Sequence, residues 1–189
     1  MRRIERDFIC LFNCLWYQDF PVTEDDPSIN RANWTIHIGL VIRQCAKLLG
    51  ARAFFEQGNR TDAVIRYPDI SQPVLTNVEW EWIPANKPHV NELEKLKEKS
   101  SEPFFSTFIS YSRKEHLAEI IQKAKTTWKD AQKPLIFFVV IYHMKGRNRV
   151  FEEVQTHFFA RNSSKKIRSQ PALPWLVKRT AYNNTVDAD

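Results

Sequence analysis

The feature that most constrains the fold of this 189-residue chain is an uninterrupted apolar run from Leu135 to Tyr142. Its eight residues carry no polar group apart from the tyrosine hydroxyl. A half-exposed strand or an amphipathic helix would show polar residues at regular intervals, whereas a strand buried on both faces shows none. The run therefore predicts a central strand, of the kind that has a parallel neighbour, in a sheet covered on both sides.

Three extended segments precede this run and are bounded by turn residues. They are Ala51–Phe55, Thr61–Tyr67 and Val74–Trp82. In the third segment, Glu79 and Glu81 share one face, while Trp80 and Trp82 share the other and are expected in the core. The short connections predict a three-stranded meander.

Five other segments are predicted to be helical, four from apolar residues at helical spacing and Asn91–Lys99 as a charged, exposed stretch. The predicted helices are Ile4–Leu15, Trp34–Leu49, Asn91–Lys99, Ser112–Asp130 and one around Val150–Phe158. Asn33 is the expected N-cap of the second, and Ser112 with Glu115 forms a capping box for the fourth. The chain length fits one domain, residues 1–189. The order of elements predicts an α/β fold, a mixed sheet with helices on its faces.

The cysteines favour a reducing compartment. Cys10, Cys14 and Cys45 are odd in number and lie among apolar residues, which predicts buried thiols rather than disulfides. Zinc bound by Cys10, Cys14 and His37 is the alternative, although no second Cys/His pair supports it. No apolar run approaches the ~18 residues of a membrane span, and no signal-peptide pattern is present. We expect a cytoplasmic or nucleoid-associated protein with no membrane partner.

Charge is divided unevenly along the chain, whose formal net charge is +6. Acidic residues concentrate between Glu56 and Glu102, and residues 154–186 contain none. The basic residues of this C-terminal extension are candidates for contacts with a nucleic-acid backbone. They are Lys165, Lys166, Arg168, Lys178 and Arg179.

Acidic residues on the predicted meander form the candidate catalytic site. Asp62 can lie across from Glu79 and Glu81 on the next strand, and Glu56 at the end of the first strand is a fourth candidate. Carboxylates that converge in this way repel one another unless a hard cation lies between them. Mg²⁺, or Mn²⁺, suits such a site and activates water for attack on phosphorus. The pattern predicts a metal-dependent phosphodiesterase with Asp62, Glu79 and Glu81 as metal ligands.

Asp62, then sixteen residues, then Glu79-Trp80-Glu81 resembles the motif of the PD-(D/E)XK nuclease superfamily. The resemblance implies the restriction-endonuclease-like core, α-β-β-β-α-β, over about residues 33–143. Asp62 would lie on the second core strand and the tripeptide on the third. It also implies a metal-dependent DNA endonuclease, restriction-like or associated with a mobile element. A homodimer is expected by analogy with restriction enzymes of this size.

Two departures from the motif bear on mechanism. Thr61 replaces the proline before the aspartate, and Glu81 occupies the usual lysine position. Some restriction enzymes carry Glu there, as a metal ligand or a base that orients water. Lys87 is the nearest candidate for a lysine supplied from elsewhere, and it would assist together with Glu56. The missing lysine also supports a catalytically inactive nucleic-acid-binding protein on the same fold, and charge alone supports an RNA-processing protein.

Overall fold

A computed structural model describes residues 1–57, 61–69, 71, 73–161 and 163–177. The helices are α1 (Arg3–Leu15), α2 (Arg31–Leu48), α3 (Glu92–Glu98), α4 (Leu117–Trp128) and α5 (Pro174–Val177), with a 3-10 turn at Lys114–His116. The strands are β1 (Arg52–Gln57), β2 (Thr61–Arg66), β3 (Val74–Glu81), β4 (Phe105–Ser112), β5 (Leu135–Lys145), β6 (Asn148–Ala160) and β7 (Ser163–Pro171). No helix in these ranges has the length and apolar content needed to cross a bilayer.

The seven strands form one sheet in the order of the sequence. β3, β4 and β5 are parallel, and the remaining neighbours are antiparallel. The parallel crossovers carry α3 between β3 and β4, and α4 between β4 and β5. The predicted α/β class, a mixed sheet flanked by helices, is confirmed. So is the buried strand of the apolar run, which is β5 and has β4 as its parallel neighbour.

Each face of the sheet packs against its own pair of helices. On one face, α1 and α2 enclose the larger core, in which Phe12 stacks on Phe138 with ring centroids 3.8 Å apart. On the other, α3 and α4 cover a smaller core that includes the stacked pair Phe108 and Phe137. Burying one such side chain contributes roughly 1.5–3 kcal/mol. The two cores therefore cover both faces of the sheet that carries the candidate site.

The predicted helix at Ser112–Asp130 begins too early. Ser112 is the last residue of β4, and its hydroxyl donates to the carbonyl of Arg113 instead of capping a helix. The helix begins at Leu117. We did not predict β4, which lies between β3 and β5 in the sheet. From α2 to β5 the observed order is therefore α2-β1-β2-β3-α3-β4-α4-β5, with the short 3-10 turn before α4.

The predicted helix around Val150–Phe158 is wrong, because these residues belong to β6. β6 pairs with β5 across a turn that contains Gly146, whose φ is +63°. An irregular register at Ile141/Tyr142 leaves Glu152 unpaired, so the core-facing positions of β6 change from Phe151 to Val154 and Phe158. The shifted apolar spacing resembles that of a helix.

Two local predictions also need correction. The N-cap of α2 is Asn30, whose side chain accepts a hydrogen bond from the Asn33 N–H at 2.9 Å. Cys45 is buried as expected, but Cys10 and Cys14 are exposed on α1. His37 lies in an aromatic cluster beside Trp34, and its burial lowers its pKa to about 4. The described residues therefore do not form the alternative zinc site.

Candidate active site

A cavity of about 500 Å³ opens at the carboxyl end of β3. Its walls come from α2, β1, β2, β3, α3 and β4. Four of the predicted site residues line it, namely Asp62, Glu79, Glu81 and Glu56. Because alternate residues of β3 face opposite sides of the sheet, the cavity extends around the strand end and reaches both faces.

Asp62 and Glu79 are side by side on paired strands. β2 and β3 are antiparallel, and Ala63 lies opposite Val78. Asp62, which precedes Ala63, is therefore the cross-strand neighbour of Glu79, which follows Val78. Their carboxyl groups are close enough for each to shift the pKa of the other. The backbone N–H of Trp80 also donates to Asp62 Oδ2 at 2.7 Å. Because two carboxylates this close repel each other, the arrangement is most stable when one of them holds a proton.

The environment of the pair favours that proton. Glu79 is only 3% exposed. Burial, and then the charge on Asp62, raises the pKa of Glu79 to about 8. Burial also raises the pKa of Asp62, although the Trp80 N–H opposes that rise. The two groups therefore titrate as one unit, which near neutral pH has one negative charge.

α3 brings a lysine to this pair. Lys95 lines the cavity, and its charge stabilises the ionised forms of both Asp62 and Glu79. Its Nζ also lies 3.2 Å from Oε1 of Glu92, one helical turn earlier. Burial alone would lower the pKa of Lys95, but these acidic neighbours raise it. The site thus contains a charged ammonium that is ion-paired with Glu92 and attracted by the charges of Glu79 and Asp62.

The sequence interpretation missed Lys95 and Glu92, which it treated as part of an exposed charged helix. The available signal was the buried pair Leu93 and Leu96, which fixes α3 against β3 and β4. Glu92 and Lys95, which adjoin these leucines on α3, line the cavity together with Asp62 and Glu79. Lys87, the predicted assisting lysine, is exposed and does not line the cavity. Its charge acts on Glu119 instead.

Glu81 does not join the carboxyl pair. Its Oε1 accepts a hydrogen bond from the Ile83 N–H at 2.8 Å, and its charge acts on Tyr111 and Arg149. Glu56 is exposed at the cavity rim, with a left-handed φ of +52°. In the part of the chain that the structure describes, no three His, Cys, Asp or Glu side chains are arranged to hold a metal ion.

The basic residues of the C-terminal extension lie away from this cavity. Lys165, Lys166 and Arg168 are exposed on β7, at the opposite edge of the sheet from β1. β7 is four strands from β3, which corresponds to about 19 Å at the usual strand spacing. The two further residues, Lys178 and Arg179, lie outside the described residues. The described part of this basic surface is therefore separate from the cavity.

Comparisons with known proteins give little likeness. No family model and no curated protein matches the chain. Among solved structures, it is similar to the YaeQ protein from Pseudomonas syringae, with 12% identity and a TM-score of 0.34 over 77% of this chain and 80% of that one. It is also similar to the YaeQ protein from Xanthomonas axonopodis pv. citri, with 12% identity and a TM-score of 0.28 over 71% and 79%.

Proposed function

We propose that this protein is a magnesium-dependent endonuclease of the PD-(D/E)XK kind, which hydrolyses phosphodiester bonds of DNA. One observation carries the proposal: the buried carboxyl pair of Asp62 and Glu79 lies beside the ammonium of Lys95 in an open cavity. Acidic groups and a lysine around a polar cavity are what metal-assisted phosphoryl chemistry requires.

The carboxyl pair fits a divalent cation. Without one, burial and the charge on Asp62 raise the pKa of Glu79 to about 8, so the site favours a proton on Glu79. A divalent cation would remove the repulsion that keeps this proton in place. Mg²⁺ usually takes only one or two carboxylates and completes its shell with waters and substrate phosphate, so two protein ligands suffice. When bound, it would stabilise charge on the phosphate and lower the pKa of a bound water.

Each residue of the site has a distinct part in this proposal. Asp62 and Glu79 hold the cation, and the Trp80 N–H keeps the Asp62 carboxylate oriented. Lys95 donates to a phosphate oxygen or to the attacking water, and Glu92 keeps its ammonium charged and positioned. The motif usually has a lysine at the position of Glu81. In this chain Lys95 would supply that positive charge from α3.

Glu81 and Glu56 have secondary parts. Glu81 would reach the cation only after losing the hydrogen bond from Ile83, and Glu56 is available at the cavity rim to bind metal-coordinated water. The basic residues on β7 would contact the DNA backbone at a distance from the scissile phosphate.

The proposal is tested by incubating plasmid and oligonucleotide DNA with the purified protein and Mg²⁺ or Mn²⁺. Glu79→Gln and Asp62→Asn should each lower the cleavage rate about 100-fold or more, the order of loss when a group that stabilises transition-state charge is removed. Glu98→Gln, an exposed position on α3 outside the cavity, is the matched control and should cleave normally. Cleavage that persists in Glu79→Gln would contradict the proposal.

A second candidate is a nucleic-acid-binding protein without catalysis. It is supported by the missing lysine of the motif and by the hydrogen bond between Glu81 and Ile83, which leaves two carboxyls at the site where the sequence predicted three metal ligands. Calorimetric titration with Mn²⁺ separates the two. Heat from the native protein and none from Asp62→Ala favours the nuclease, whereas no heat from either favours the binding protein.

A further inference from the structure

The half of the cavity that faces α2 differs in chemistry from the carboxyl half. Three half-buried aromatic side chains, Phe55, Trp80 and Trp82, line it from the sheet. From α2 it receives Ile36 and Leu40, which are 63% and 40% exposed. Apolar groups so exposed, side by side and within a cleft, are typical of a binding surface rather than of an ordinary protein exterior.

Arginines bound this apolar surface at both ends. Arg31 and Arg43 line the cavity from the first turn of α2 and from a position twelve residues later, about 18 Å along the helix axis. The guanidinium of Arg43 lies over the ring of Phe55, 5.5 Å from its centroid. This ring in turn meets Trp80 edge-on at 6.5 Å. The α2-facing half is therefore an aromatic surface between two cations.

We propose that this half binds an unpaired nucleobase of the strand whose phosphate lies at the Asp62–Glu79 pair, so that the substrate is single-stranded DNA. The inference rests on the proposed function and names its substrate class. Aromatic rings stack on the faces of bases, and neighbouring cations neutralise the phosphates, which is how proteins bind single strands without sequence preference. The carboxyl half and the apolar half would then hold adjacent parts of one nucleotide chain.

The size of the cavity favours a single strand. The cavity has a volume of about 500 Å³, in the range of sites that hold one small molecule, so it has room for a base and not for a stacked duplex. A paired base is also covered by its neighbours on both faces, so its ring cannot reach Trp80 or Phe55. An unpaired base meets neither restriction.

The test is fluorescence anisotropy with labelled probes in EDTA, so that binding is measured without cleavage. Three probes have equal phosphate counts: a single-stranded oligonucleotide, an abasic strand and a hairpin duplex. We expect the base-bearing strand to bind about tenfold or more tightly than either of the other two, since stacking on one or more bases supplies that difference. An acidic peptide serves as a fourth probe, and it should bind no better than the abasic strand.

The test variant and its control introduce the same charge at two exposed leucines of the same helix, α2. Leu40→Glu should weaken binding of the base-bearing strand about tenfold, whereas Leu48→Glu, on a residue 59% exposed but outside the cavity, should change it less than about twofold. Phe55→Ala gives a second loss without adding charge. Circular dichroism melts confirm that each variant folds.

Equal binding of the abasic and base-bearing strands, or of duplex and single strand, overturns the inference, and so does an unchanged Leu40→Glu. Failure of the proposed function is a separate result. If no probe is cleaved with Mg²⁺ but base-dependent binding persists and Leu40→Glu reduces it, the single-strand site stands on a non-catalytic protein. If Mg²⁺-dependent cleavage occurs without base-dependent binding, the nuclease stands and this inference falls.

Discussion

The backbone N–H of Trp80 donates to Oδ2 of Asp62 at 2.7 Å, so the strand that carries Glu79 also fixes the carboxyl group opposite it. Since the Trp80 side chain extends to the other face of the sheet and lines the α2-facing half of the cavity, one residue joins both halves of the site. Movement of either half would be transmitted to the other through β3.

Stability should depend on pH through Glu79. Its pKa is about 8 in the folded protein because of burial and the charge on Asp62, against about 4.3 in an unfolded chain. A raised pKa stabilises the fold fully below the unfolded value, and this contribution is lost as pH rises through the folded value. Without metal, Tm should therefore fall between about pH 4 and pH 8, and Glu79→Gln should largely remove this dependence. An unchanged slope in Glu79→Gln would place the effect elsewhere.

Lys95→Met should reduce cleavage by about 100-fold while leaving DNA affinity nearly unchanged, because one ammonium at the reacting phosphate contributes mainly to transition-state stabilisation. Methionine retains the length and apolar stem of the side chain. Lys87→Met provides the comparison, since Lys87 is exposed and does not line the cavity. Equal losses in the two variants would mean that Lys95 has no special part in the reaction. Rates and affinities are both measured on the same oligonucleotide.

Glu81→Gln should cost less than about tenfold in cleavage, far less than Glu79→Gln, because its carboxylate binds the Ile83 N–H and not the carboxyl pair. Glutamine can still accept that hydrogen bond, so the loop after β3 is preserved. The comparison separates a two-carboxylate centre from a three-carboxylate one. A loss as large as that of Glu79→Gln would show that Glu81 moves to the cation during the reaction.

The triple variant Lys165→Ala, Lys166→Ala, Arg168→Ala should weaken DNA binding without changing the rate of the bound complex. These residues are exposed on β7, about 19 Å from the carboxyl pair at the usual strand spacing. Loss of three backbone contacts should reduce the slope of log affinity against log salt by about two. The measurement is a salt titration of DNA binding beside single-turnover cleavage, and a changed single-turnover rate would contradict the assignment.

The sequence predicted the parts of the fold that are determined by local periodicity. β5 was evident because both its faces are buried. β4 was not, because Ser106, Ser110 and Ser112 alternate with apolar residues and yet are buried beneath the helices on one face. Small polar residues at such positions resemble a loop in sequence, and only the tertiary packing covers them.

The same limit applied to the site. The pairing of Asp62 with Glu79 followed from strand alternation and the short connection between neighbouring strands. Lys95 was not predicted, because helical spacing shows which face of α3 is buried but not which part of the sheet lies beneath it. The orientation of Glu81 could not be predicted from the sequence either. It depends on the Ile83 N–H, which donates to Glu81 only because of the geometry of the loop after β3.

The raised pKa of Glu79 has a consequence for how the site would respond to its surroundings. Below that pKa, a divalent ion that binds both carboxylates would displace the proton on Glu79, so its affinity should rise with pH. Acidification and magnesium depletion would then have the same effect, because each would leave the site without metal and with Glu79 protonated.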